Sequence, residues 1–249
     1  MMPEVFHFGP LHLYSFGFCV AFGVLVCLGL MSRSAMKAGM PSSEFVFDMV
    51  FITVIAGFLG ARVFYILENL SWYLKSPLRM LAIWEGGLIF YGGVWVSFAA
   101  LVFYLRRRHF SVWDALDFLA PYIALAHAFG RVGCFLNGCC LGKYCNLPWV
   151  VIFPGETIAR HPAQLYEAGL NVLLFTFLVK KYDRKHFPGQ IAILYFSGYS
   201  VIRFFIETVR EGTPILFGLT HNQISSVLLL AAAIFLYSNR KRASGKVSL

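Results

Sequence analysis

Leu13 to Met31 reads LYSFGFCVAFGVLVCLGLM, a run without a single charged residue. A helix needs about 20 such residues to cross the hydrocarbon core of a bilayer. Six further predominantly apolar runs follow: Phe45 to Leu67, Leu88 to Leu105, one opening at Ser111, Leu165 to Val179, Ile191 to Val209 and Ile224 to Tyr237. Pro41-Ser42-Ser43-Glu44 is a helix-start signature ahead of the second run. Ser111-Val112-Trp113-Asp114 resembles a capping box at the start of the fourth, and Pro121 is placed to kink it. The pattern predicts an all-α, polytopic membrane protein of seven transmembrane helices, read as one domain over residues 1–249.

Composition points the same way. The chain is 59% hydrophobic and 17% aromatic but only 13% charged, and its mean hydropathy is +0.69. A soluble domain carries roughly a quarter charged residues. Met1 to Pro10 has no basic stretch and contains Glu4, so no signal peptide is expected there. The net charge of +9 could suggest nucleic acid, but the basic residues sit in short patches between apolar runs. No nucleic-acid partner is therefore expected.

Those patches set an orientation. Arg33/Lys37, Arg106 to Arg108, Lys180 to Lys185 and Arg240 to Lys246 hold more than half of the 21 lysines and arginines. With seven spans all four patches fall on one side, which the positive-inside rule makes cytoplasmic. The N-terminus is then outside and the C-terminus inside. Two segments, about 68–86 and 131–162, are expected to lie outside, the first as an interfacial arm with Trp72, Tyr73 and Trp84.

The fourth run leads into GRVGCFLNGCCLG, residues 130–142. Glycines at that density allow tight turns or close approach to a ligand. Arg131 at its mouth offers a fork of donors suited to phosphate or carboxylate, although an arginine there could merely cap a helix end. Cys134, Cys139, Cys140 and Cys145 could form disulfides on an outward face or hold a metal. Their C-x4-C-C-x4-C spacing matches neither zinc ribbons nor ferredoxin runs, so structural or disulfide-forming cysteines are expected and no metal. Cys19 and Cys27 read as small apolar fillers.

In the sixth run Tyr199, Arg203, Glu207 and Arg210 fall on one helical face. Charges within a span must face the bundle interior or a wet cavity, so this stripe is read as a polar site, or else as a tie between helices. Arg62, ahead of Tyr65, is a weaker instance. His161-Pro162-Ala163-Gln164-Leu165-Tyr166-Glu167 opens the fifth run, with His161 a base, ligand or capping group and His161, Gln164 and Glu167 recurring at i, i+3 and i+6. Trp84-Glu85-Gly86-Gly87-Leu88-Ile89-Phe90-Tyr91-Gly92-Gly93 enters the third run, its glycine pairs permitting close approach around Tyr91. Tyr14 opens the first run.

GRVGCFLNGCCLG, HPAQLYE, WEGGLIFYGG and YSVIRFFIE together resemble the prolipoprotein diacylglyceryl transferase family, over nearly the whole chain. The resemblance implies a seven-span inner-membrane enzyme that moves the diacylglyceryl group of phosphatidylglycerol to the lipobox cysteine of a secreted precursor. Its partners would be phosphatidylglycerol in the membrane and the prolipoprotein signal peptide. On the same ground Arg131 binds the lipid headgroup, with Asn137 and Gly142 at further signature positions. Tyr199, Arg203 and Glu207 form the essential sixth-span set, with Arg210 beside it, and Tyr14 matches a first-span tyrosine important for activity. Cys134 and Cys139 stand where the common signature has asparagine and glutamate, and Tyr91 stands where many members have histidine.

The chemistry fits these residue types. An acceptor cysteine attacks as thiolate, and a phosphate-ester leaving group wants preorganised cations, which Arg131 and Arg203 supply. Tyr91 is expected to orient the lipid or act as base, with His161 in reserve, and the scheme needs no cofactor. A transporter or channel with a gated polar pathway, or a metal-dependent membrane redox protein, are the alternatives from other classes.

Overall fold

The computed structural model describes residues 4–8, 11–82 and 86–247, without the side chains of 4–8, 11–13 and 245–247. Trp84 and Glu85, expected in the interfacial arm and the entry to the third run, lie outside the described residues. So do Met1 to Pro3.

The protein is mostly helical, with two small antiparallel ladders. In chain order it comprises β1 (Glu4–Phe8), β2 (Leu11–Tyr14), α1 (Ser15–Ser34), α2 (Ser43–Glu68), α3 (Leu70–Tyr73), a 3-10 turn (Pro77–Leu81), α4 (Phe90–Arg107), α5 (Val112–Asn137), β3 (Val151–Ile152), β4 (Ala159–Arg160), α6 (Ala163–Tyr182), α7 (Gln190–Val209) and α8 (His221–Val247). Five helices, α1, α2, α5, α7 and α8, are long and apolar enough to cross a membrane. α4 and α6 have comparable length but are diluted, α4 by Arg106 and Arg107, α6 by Gln164, Glu167, Asn171, Lys180 and Lys181. The outer faces of the apolar helices carry exposed Phe22, Leu25, Phe51, Phe58, Leu228 and Phe235, a surface suited to hydrocarbon.

The chain divides into two compact units, Leu28–Val112 and the remainder. In the first, α2 crosses α4 at glycines. A Cβ on Gly60 would lie 2.5 Å from the Val96 Cβ and 2.8 Å from the Gly92 carbonyl oxygen. Ser97 Oγ adds a hydrogen bond to the Thr53 carbonyl at 2.9 Å. Lipid gives helices no hydrophobic drive to associate, so small residues and polar ties take its place. The close approach that the sequence suggested around Tyr91 is, at Gly92 and Gly93, helix packing against α2.

Arg62 also differs from its expected place on a polar stripe. It is buried, and its guanidinium donates to the carbonyls of Met80 (3.2 Å), Arg79 (2.9 Å), Ala82 (3.1 Å), Gly86 (2.5 Å) and Gly87 (3.2 Å). With its charge over the Tyr65 and Tyr73 rings, it clamps the arm against α2.

In the second unit α5 runs through Pro121 and on to Asn137, so Arg131 to Asn137 continue the helix into the segment expected to lie outside, where the glycines suggested tight turns or close approach to a ligand. Gly133 lets α1 approach: a Cβ there would lie 3.1 Å from the Cys19 Cβ and 3.2 Å from the Phe16 Cα. Phe22 and Phe129 meet edge to face one turn away. Left-handed backbone comes only afterwards, at Gly138 (φ 70°) and, more unusually, Cys140 (φ 60°). α5, α6 and α7 share a core of Ala120, Ala124, Leu174, Leu178, Ile191, Ala192 and Tyr195. Phe187 and Ile193 pack with Ala233 of α8.

Asp117 of α5, fully buried, caps α7 from outside. Its carboxylate accepts from the amides of Gly189 (2.9 Å), Ile191 (2.8 Å) and Ala192 (3.0 Å) and from Lys185 Nζ (3.2 Å). Burial works against the Lys185 ammonium, but its hydrogen bond to Asp114 and the charges around it hold its pKa above the ordinary lysine value. Replacing Asp117 by alanine strands these amides and an ammonium, as when one partner of a buried pair is lost. That change costs about 3–5 kcal/mol. The Asp117→Ala protein should melt well below wild type in detergent by tryptophan fluorescence, whereas Asp183→Ala, at the α6 C-cap, should not.

Candidate functional site

Glu167 sits one turn into α6, 1% exposed. The sequence supplies it no cation at i±3 or i±4 on its own helix, yet two arrive from neighbouring helices. Arg131 Nε of α5 lies 3.0 Å from Oε1, and Arg203 Nη1 of α7 lies 3.6 Å from Oε2. Arg203 Nη2 continues to Glu207 Oε2 at 3.4 Å. Glu207 Oε1 accepts from Thr220 Oγ1 (3.1 Å) and from Asn222 Nδ2 (2.9 Å) at the start of α8. Alternating charges, Arg131–Glu167–Arg203–Glu207, therefore run from α5 to α8.

His127, one turn before Arg131, closes the other end. Arg131 Nε donates to its Nε2 at 3.3 Å, the same Nε2 lies 3.6 Å from Glu167 Oε1, and its ring meets Tyr199 at 5.0 Å. Tyr199 in turn stacks on Tyr195. The structure thus brings together Arg131, Tyr199, Arg203 and Glu207, as the sequence anticipated. It adds Glu167 and His127, which the sequence reading did not choose. The i, i+3, i+7 recurrence of Gln164, Glu167 and Asn171 in an otherwise apolar helix was the available signal for Glu167; no comparable signal marks His127.

Residues 138–162 fold over this end. Lys143 N donates to the Val209 carbonyl at 2.7 Å, Glu211 N to the Leu141 carbonyl at 3.3 Å, and His161 N to the Lys143 carbonyl at 3.0 Å. Arg160 ties the segment down through the Gly142 carbonyl (3.2 Å) and Glu211 (3.0 Å). Gly142 pairs with Arg210 in a backbone bridge, and any side chain at 142 would strike the His161 carbonyl. This close contact accounts for the glycine. Arg210 is partly buried, with its Nε lacking a hydrogen-bond partner.

His161 stands apart from the charge chain, its Nδ1 3.4 Å from the Tyr166 hydroxyl, which accepts from Trp149 Nε1 at 2.7 Å. Asn137 ends α5 with its side chain exposed, and Tyr14 is exposed just before α1. Tyr91 belongs to the other unit, in the first turn of α4, and is 73% exposed.

None of the six cysteines is in a disulfide. The Sγ atoms of Cys134, Cys139 and Cys140 lie within 4.8 Å of one another, and Cys145 is not among them. Cys139 Sγ also reaches the Cys134 carbonyl at 3.6 Å, and the Cys139 carbonyl accepts from Gln164 Nε2 at 2.6 Å. The Cys134 hydrogen bond, then the Arg210 and Arg131 cations, draw the Cys140 thiol below the usual thiol range despite burial.

Two clustered arginines beside a thiol-rich turn, at one end of apolar helices, are suited to an anionic lipid headgroup and a sulfur nucleophile. Comparison with known proteins agrees. Residues 3–238 match the family model described as prolipoprotein diacylglyceryl transferase. Among curated relatives, the phosphatidylglycerol–prolipoprotein diacylglyceryl transferase of Bordetella parapertussis is 32% identical over 253 residues, covering 96% of this chain and 95% of its own. Those of Glaesserella parasuis (36% identical; 85% and 81% covered) and Vibrio vulnificus strain YJ016 (34%; 84% and 79%) are similar. With the family model spanning nearly its whole length, the chain belongs to the prolipoprotein diacylglyceryl transferase family.

Proposed function

We propose that the Arg131–Glu167–Arg203–Glu207 chain is where this multi-pass membrane protein carries out its reaction. It is a transferase that moves the diacylglyceryl group of phosphatidylglycerol to the lipobox cysteine of a prolipoprotein, forming a thioether and releasing glycerol phosphate. One observation carries the site assignment. Two arginines from separate helices meet across one buried carboxylate, and Arg203 Nη1 there has no hydrogen-bond acceptor.

In this reading Arg131 grips the phosphate of the lipid and Arg203 meets the charge that grows on the departing oxygen. Cations fixed in advance stabilise such charge without reorganising as it forms. Glu167 holds both guanidiniums in place. Glu207, itself held by Thr220 and Asn222, aims Arg203. Tyr199 packs beside His127 and completes the wall, and Arg210 adds positive potential from the end of α7. Asn137 and Tyr14 contact the lipid headgroup, Gly142 shapes the loop over it, and Tyr91 orients the lipid or acts as base, with His161 in reserve.

α4 and α6 complete seven spans in the bacterial inner membrane, with the N-terminus and residues 138–162 outside. The lipid enters sideways between spans. The asymmetry of lysine and arginine supports this orientation.

Incubating purified enzyme with phosphatidylglycerol and a lipobox peptide should raise the peptide mass by one diacylglyceryl group. Arg131→Ala should cut turnover about 10²–10³-fold, with Arg131→Lys a poor rescue because the fork is lost. Near-normal transfer by Arg131→Ala would remove the headgroup role. For topology, a reporter active only outside the cytoplasm should work when fused near residue 150 and stay silent near residue 183; the reverse pattern would overturn the orientation.

A further inference from the structure

Cys134, Cys139 and Cys140 come from two local structures. Cys134 lies in the last turn of α5, while the other two follow Gly138, which turns the chain back at φ 70°. Cys140 holds a left-handed φ of 60°, unusual for a residue with a Cβ. This turn gathers three sulfurs within 4.8 Å of one another, although consecutive residues 139 and 140 would diverge in regular structure. Three thiolates on one zinc at about 2.3 Å would stand about 3.8 Å apart, so closing the trio needs a shift of about 1 Å. Among the described residues no fourth cysteine, histidine or carboxylate joins them. Three protein ligands with an open fourth position is the pattern of catalytic zinc, whereas structural sites are closed by four.

The position of the trio gives the open ligand site a use. Cys134 is three residues after Arg131 on the same helix, and Gly142, two residues past Cys140, pairs with Arg210 in a backbone bridge. Hard cations such as Mg²⁺ and Ca²⁺ take oxygen ligands, so a sulfur-only set selects a thiophilic ion. We propose that Cys134, Cys139 and Cys140 bind Zn²⁺ and that its fourth position takes the acceptor thiol of the lipobox cysteine.

The inference rests on the transfer reaction assigned above. On binding, the acceptor thiol releases its proton to solvent, since a thiol coordinated to zinc is deprotonated outright. Its sulfur then supplies the electron pair for the new C–S bond at the glycerol carbon. The C–O bond to phosphate breaks, its electron pair stays on oxygen, and glycerol phosphate departs as a dianion in front of Arg131 and Arg203. The thioether product is neutral and a weaker ligand, which frees the fourth position for the next thiol.

The test uses the full-length enzyme in detergent under reductant, stripped with a chelator and reloaded with Co²⁺ or Zn²⁺. Wild type should bind one Co²⁺ per chain with thiolate-to-cobalt charge-transfer absorption. Cys134→Ser, Cys139→Ser and Cys140→Ser should each lose it, and Cys145→Ser should keep it. A lipobox peptide should strengthen the band, and the same peptide with serine for cysteine should not. Stripping should slow transfer about a hundredfold or more, the weight of a missing general base, and Zn²⁺ should restore it. Absence of the cobalt band, a band indifferent to the cysteine peptide, or full transfer by stripped enzyme would each overturn the proposal while leaving the transfer reaction intact. A zinc-loaded enzyme with the expected cobalt spectra but no transfer from phosphatidylglycerol would instead overturn the reaction assigned to the site and keep the metal.

Discussion

A buried carboxylate on α6 governs the second unit. Burying an ion costs several kcal/mol unless partners offset it. Glu167 meets that condition only where α5 brings Arg131 and α7 brings Arg203. The requirement is mutual, because each arginine also sits in a largely buried place and needs the same carboxylate. Helix order, rotation and depth are thereby restricted together: turning any one of the three would strand a charge. Glu207 repeats the device one turn further and extends it to α8 through Thr220 and Asn222.

The opposite end of the same helices uses the same physics for another purpose. Asp117 also takes its partners from other elements, but three of them are backbone amides and the fourth is Lys185. Its capacity to accept is spent on a helix N-terminus whose amides and dipole favour negative charge. At the Glu167 end the partners are guanidiniums with donors to spare, among them Arg203 Nη1. One cluster is saturated and holds the bundle together. The other is held together but not saturated, and this difference separates a structural charge cluster from one able to receive an anion.

The helices were legible because hydropathy changes sharply at their ends: α2, α4 and α7 begin and end within about two residues of the apolar runs that predict them. The stripe of Tyr199, Arg203 and Glu207 was legible too, since charges in a span have few places to go. What could not be read was pairing across helices. Glu167 has no partner at i±3 or i±4, so its role exists only once α5 and α7 are in place. Arg62 shows the converse: as a charge in a span it looked like the stripe on α7, but its partners are carbonyls of a segment distant in sequence. The glycines of the Gly130–Gly142 stretch read as tight turns or close approach to a ligand, whereas Gly133 allows helix packing and Gly138 makes the turn.

The cysteines expose a further limit of spacing arguments. C-x4-C-C-x4-C resembles no regular zinc motif because those motifs place ligands on hairpins and short helices of standard geometry, whereas here a helix end and a left-handed turn set the distances. By the family resemblance alone, Cys134 and Cys139 stand where the common signature has asparagine and glutamate, and Tyr91 where many members have histidine. Cys134 and Cys139 supply soft sulfur ligands within eight residues of Arg131. A metal that deprotonates a thiol by coordination needs no base of matched pKa, which is what the proposed zinc site would bring to the acceptor thiol.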